Sequence, residues 1–222
     1  MTRQMAGPLI VGIIGVAILL SLGKWQLDRL AWKQGILADI TARIEQAPVD
    51  LPANPDPERD AYLSVVATGV IGTREIQVLA SRKQKGAGYR VIAPFTVGDR
   101  TVLLDRGFIP LEAKDTPRGR DTVTVTGNLH WPDEVDSYTA EPDRNRNIWF
   151  ARDVDAMAAE LQTEPVLIIA RSDTGNGTEP FPVGITGIPN DHLQYAITWF
   201  SLALVWFGMT VFLLWRIKHR TS

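Results

Sequence analysis

The chain has 222 residues, a formal net charge of −2 and no cysteine. Disulfides, thiolate catalysis, zinc–thiolate sites and iron–sulfur ligation are thereby excluded. Near-neutral charge without a basic footprint argues against nucleic acid as a partner. With only His130, His192 and His219, a site built on a histidine cluster has little to work with.

Residues 8–22 form the first apolar stretch and carry no charge. With residues 5–7, and Trp25 as an interfacial anchor, the stretch reaches about 18 residues, enough to cross a bilayer. The alternative is a cleaved signal peptide: Ser21–Leu22–Gly23 offers a small-x-small site, but only Arg3 charges the segment before it. Helical character continues past Gly23 through KWQLDRLAWKQGILADI, which predicts one long helix leaving the membrane and running to residue 47. Pro48, Pro52, Pro55 and Pro57 then end it.

Strand patterns follow at residues 62–71, 75–80, 89–97, 101–109 and 122–126. Gly98–Asp99 marks a tight hairpin. Residues 148–151 read as a further short strand and residues 153–161 as a capped helix. The continuous apolar run 166–170 reads as a central strand. Residues 132–147 and 172–190 read as irregular. The fold class expected is a membrane protein in which two transmembrane α-helices flank one β-rich α+β extracytoplasmic domain, an antiparallel sheet or partly closed barrel.

The second span is residues 193–215, uncharged and about 34 Å long as a helix. Arg216, Lys218 and Arg220 follow it and mark a cytoplasmic end. Lys24, Arg29 and Lys33 after the first span point the other way. The second span decides, because the segment before it (residues 172–191) has no lysine or arginine. Both termini are then cytoplasmic and the central domain lies outside. The expected divisions are a first transmembrane helix at 5–23, an outer domain with a helical extension at 24–190, a second transmembrane helix at 191–215 and a basic tail at 216–222.

No G-x-S-x-G, H-E-x-x-H, phosphate-loop or helix-opening G-x-G-x-x-G motif is present. A non-enzymatic role is therefore expected. Gly86–Ala87–Gly88 reads as a hairpin turn. Asp105–Arg106–Gly107, at a strand end, reads as an ion pair or capping contact in preference to a ligand site. His130 reads as a strand-end residue and His219 as part of a solvated basic tail without a partner. His192 differs. It follows Pro189–Asn190–Asp191, where Asn190 or Asp191 is the helix cap, so it lies in the first turn at the membrane–water boundary. An imidazole there is a candidate ligand for a metal or haem iron. Below it come Tyr195, Ala196, Trp199, Ala203 and Trp206 at helical spacing. The alanines either leave a groove for a flat apolar ligand or let Gly12, Gly15 and Gly23 of the first span pack closely, with the aromatics as interfacial belts. The residues alone favour close packing.

Four segments carry a resemblance that covers nearly the whole chain. They are LGKWQLDRL at residues 22–30 with Trp32–Lys33, GYRVIAPF at 88–95, LLDRGFIP at 103–110, and NDHLQYAITWF at 190–200. Together they resemble the surfeit locus protein one family, the cytochrome c oxidase assembly factors. Phe108, where the family often has tryptophan, and Asp191, where asparagine is common, are small departures.

The resemblance implies two spans, an outer domain and a role in maturing subunit I of a haem–copper oxidase. It also implies binding of haem a, with His192 as axial ligand and the haem iron as the one metal held. On that reading Tyr195, Trp199 and Phe200 shelter the macrocycle. Lys24 or Arg29 meets the propionates, an assignment from depth alone. The partners are oxidase subunit I, membrane lipid and, as a further candidate, haem a synthase. No mitochondrial-type presequence precedes the first span, so a bacterial inner-membrane member is expected. The alternative is a scaffold that holds apo-subunit I without binding haem.

Overall fold

The computed structural model describes residues 3–119, 121–185 and 188–220. The chain opens with α1 (Arg3–Glu45), a continuous helix of 43 residues, about 65 Å at 1.5 Å per residue. The expected helical extension is thus the same helix as the first span. At the other end α3 (His192–Arg220) has 29 residues. Both helices are long and apolar enough to cross a membrane, and only 6% of the most apolar window of either is buried against protein. A core helix of a soluble domain would be mostly covered. These two present apolar side chains outward, as lipid-facing helices do.

Two compact units result: Ile40–Ile185, and the two terminal segments together. Residues 24–39 therefore group with the terminal helices.

The Ile40–Ile185 unit contains β1 (Val49–Asp50), β2 (Ser64–Ile71), β3 (Ile76–Arg82), β4 (Gly86–Val97), β5 (Arg100–Pro110), β6 (Thr122–Leu129), α2 (Val154–Leu161) and β7 (Leu167–Ala170). The strand order is β1-β2-β6-β7-β5-β4-β3, and a further β2–β4 pairing closes five strands into a barrel. Closure is made by Val70 opposite Thr96 and Ile71 opposite Phe95. The barrel is mixed: β7 runs parallel to β5 and antiparallel to β6. The β-rich domain between two long helices is as expected, and its sheet is specified as a closed barrel that includes one parallel pair.

β3, β4 and β5 form consecutive hairpins. Gly98 makes the second turn at φ +62, a conformation other residues adopt only with strain. The first turn ends at Gly86, so the Gly86–Gly88 segment is hairpin structure, as its spacing predicts.

The run at β7 is apolar throughout because both of its faces are covered. Ile168 and Ala170 point into the barrel beside Val65, Phe95 and Leu104. Leu167 and Ile169 point outward against Trp149, Met157 and Leu161, beneath α2. Asp153 caps α2, its side chain accepting from Ala156 N–H at 3.0 Å. Residues 148–151 are not a strand. Trp149 and Ile148 make isolated bridges to Val78 and Asp143, and Trp149 serves as core.

Candidate functional site

Within the terminal unit, α1 and α3 pack antiparallel along a seam that can be followed residue by residue. A Cβ built on Gly12 would meet Thr210, one on Gly15 would meet the Trp206 ring, and one on Gly23 would meet the Phe200 ring. Small residues on α1 thus accept large ones from α3, which lets the backbones approach. Ala196 and Ala203 are buried in the same unit. Of the two readings of the alanine-and-aromatic stripe, close packing is the one realised at these positions.

The seam turns polar at its upper end. Asp191 precedes α3, and its carbonyl accepts from Tyr195 N–H at 3.1 Å, so Asp191 occupies the capping position. His192 is the first helical residue and is half-buried. Its Nδ1 lies 2.8 Å from Oε1 of Gln26 on α1. Gln26 is 8% exposed. Seven residues further along α1, Lys33 donates to the Pro189 carbonyl. Helical periodicity places Gln26 and Lys33 on one face of α1, and together they hold the turn that carries His192.

Trp199 is seven residues beyond His192, on the same face of α3. Its indole N–H is buried and has no hydrogen-bond partner. A donor left unpaired away from water costs free energy, on the order of 1–3 kcal/mol. The Asn190 side-chain oxygen is likewise buried and unpartnered.

The remaining expected site residues are dispersed. Tyr195 is 54% exposed. Phe200 packs on Gly23. Lys24 is paired with Asp28 at 2.6 Å, with both side chains largely exposed. Arg29 stacks its guanidinium 4.1 Å from the Trp32 ring centre. The cation brought to the His192 turn is Lys33 instead. Neither Gln26 nor Lys33 is a site candidate in the sequence, where Lys33 counts toward topology and both fall in the first of the four family-like segments. The available signal was their seven-residue spacing, which continues the face of Gly12, Gly15 and Gly23 along the same helix.

A second polar cluster lies in the barrel unit. Asp105 is completely buried and pairs with Arg90, and its other oxygen accepts from Gly107 N–H at 3.0 Å. Arg90 also donates to the Phe181 carbonyl at 2.9 Å and lies 4.0 Å from the centre of the Phe181 ring. Arg106 reaches the Thr174 and Gly175 carbonyls at 3.1 and 3.3 Å. Asp105–Arg106–Gly107 sits within β5, not at its end. It fastens the segment that follows β7 onto the barrel, which is the ion-pair reading made specific. Beside it Arg152 pairs with Glu134. Burial alone would raise the Glu134 carboxyl, but the Arg152 hydrogen bond and charge hold it below its usual range. His130 packs against Tyr62 with ring centres 5.1 Å apart, and His219 makes an edge contact with Trp215 at 4.8 Å. His219 thus has a partner that its position in the basic tail did not predict. Among the described residues, no group of three or more histidine, aspartate or glutamate side chains could hold a metal ion.

Residues 13–204 match the model of the SURF1 family. The chain is a member of the SURF1 family. Surfeit locus protein 1 of Rattus norvegicus is 29% identical over 219 residues, covering 84% of this chain and 70% of the relative. A SURF1-like protein of Monosiga brevicollis is 33% identical, covering 86% and 82%. A SURF1-like protein of Rickettsia felis is 32% identical, covering 88% and 91%. The matched SURF1 region contains both the Gln26 turn of α1 and the His192 turn of α3, so the polar end of the seam lies inside it.

Proposed function

We propose that this SURF1-family chain is an assembly factor for a haem–copper terminal oxidase, binding haem a at the His192 turn and supporting its insertion into oxidase subunit I. The observation that carries the reading is the Gln26–His192 pair: a half-buried imidazole fixed through one nitrogen at the polar end of an apolar helix pair. Haem a, when bound, supplies an iron that takes an imidazole nitrogen and a flat, largely apolar macrocycle around it.

His192 would furnish the nitrogen. Trp199 would offer its unpaired indole N–H to an acceptor on the ligand. Lys33, on the same side of α1, is better placed than Lys24 or Arg29 to meet a carboxylate by a charge-assisted bond. The basic run after the second span supports an arrangement with both termini cytoplasmic and the barrel unit on the outer face of a bacterial inner membrane. The role is one of holding and presenting, not of catalysis.

The test is purification from cells that co-express haem a synthesis, comparing wild type with His192→Ala. Wild type is expected to carry haem a with a shifted α-band, and the variant to lose most of it. Equal retention with unchanged spectra would sink the assignment.

A second reading has its own observation. Trp25, Trp32 and Ile36 are exposed along α1 where it leaves the apolar segment, Trp25 at 56%. Such a stripe suits a scaffold that grips apo-subunit I without haem. A colourless preparation from haem-a-replete cells favours that reading.

A further inference from the structure

The upper end of the seam is polar where the rest is apolar, and its design is asymmetric. Gln26 is almost wholly buried, and its side-chain oxygen is committed to one ring nitrogen of His192. A carboxamide oxygen can only accept, so the nitrogen facing it must donate. In the neutral ring, that places the proton on Nδ1 and leaves the lone pair on Nε2. Nε2 has no hydrogen-bond partner among the described residues and is not among the buried unpaired atoms. The same helix braces the turn on both sides: Lys33 holds the Pro189 carbonyl, and Gly23 receives Phe200 one turn below Gln26.

We infer that Gln26 is the positioning residue of the site, holding His192 as the Nδ1–H tautomer so that Nε2 is the ligating atom. The inference deepens the proposed function and rests on it for the identity of the ligand. It does not rest on it for the state of the ring. Ligating histidines commonly donate their second ring N–H to an oxygen that fixes tautomer and orientation, and loss of that oxygen typically weakens metal binding about 10–100-fold. An imidazole free in water prefers the opposite tautomer, with the proton on Nε2, so the partner has a measurable effect to exert.

The experiment uses the full chain in lipid nanodiscs with its histidines labelled with nitrogen-15. There are only three to assign, and His192→Gln identifies the signal. Wild type is expected to show the Nδ1–H pattern at His192. Gln26→Glu keeps an acceptor oxygen and should keep that pattern. Gln26→Leu should move the ring to Nε2–H. Ferric protoporphyrin IX, titrated into the same samples and followed by its Soret band, should bind Gln26→Leu 10–100-fold more weakly than wild type, with Gln26→Glu restoring binding. An Nε2–H ring in wild type, or a ring unchanged by Gln26→Leu, overturns the inference. If Gln26 governs the tautomer but the porphyrin does not respond to His192→Gln, the positioning stands and the haem reading fails.

Discussion

Asp105 and His130 belong to one corner of the barrel unit, and each makes a prediction. Asp105 has no exposure and faces Arg90, with Arg152 at 4.0 Å. Removing one partner of a buried pair strands the other charge, which costs about 3–5 kcal/mol. Asp105→Ala should therefore lower stability by that amount in denaturant unfolding of the purified chain. His130 is held neutral: burial pushes its pKa down to about 4, and the nearby Arg152 charge adds to the effect. Unfolded histidine titrates near pH 6.5, so between about pH 6.5 and 4 acid favours the unfolded chain, and the loss levels off below that range. The penalty is at most about 3 kcal/mol. His130→Gln should flatten that part of the melting-temperature profile. Residues of this kind are hard to read in a sequence. Gln26 looks like an ordinary solvated residue of an amphipathic helix until His192, 166 positions away, is placed against it. His192 itself was legible because Pro189–Asn190–Asp191 announces a helix start.

Among the elements, β7 was legible and β1 was not, for one reason. A strand buried on both faces must be apolar at every position, and Leu167–Ala170 is. Val49–Asp50 is two exposed residues pairing with β2, and nothing in its composition requires that. Trp149 misled in the opposite direction: its aromatic and β-compatible neighbours suit a strand, but its task is to fill the space beneath α2. The long helices were legible from hydropathy, whereas their contact order was not. That contact order is testable because the chain has no native cysteine. A Cβ on Gly12 would lie 3.0 Å from the Thr210 Cβ, about half an ångström closer than the short end of the disulfide range, so a slight parting of the helices admits the bond. Gly12→Cys with Thr210→Cys should therefore cross-link on mild oxidation in membranes. Adding Gly15→Leu, whose side chain would meet Trp206, should sharply reduce the yield. An unchanged yield would mean that the seam does not depend on close approach at Gly15.

At the level of the whole molecule, the two units are held together internally by different means. The terminal unit relies on close helix packing with its apolar surface outward. The barrel unit has its own core and keeps its ties to residue 44 within its bounds, since Asn128 and Arg171 both donate to the Ile44 carbonyl. A polypeptide of residues 40–185 should fold alone and unfold in one cooperative transition, checked by calorimetry and amide dispersion in NMR. Loss of cooperativity would show that the terminal helices supply part of the core.

The insertion of β7 between β5 and β6 has a consequence in time as well as in space. A chain is made from its N-terminus, and β5 and β6 are both complete before Leu167–Ala170 exists. Until it arrives each of them presents a row of unmet backbone donors and acceptors, an invitation to pair with another chain. The barrel cannot seal early. Its last stave is cut last, so the nascent domain stays open, slow to complete and exposed to misassociation, until almost the entire unit has been delivered.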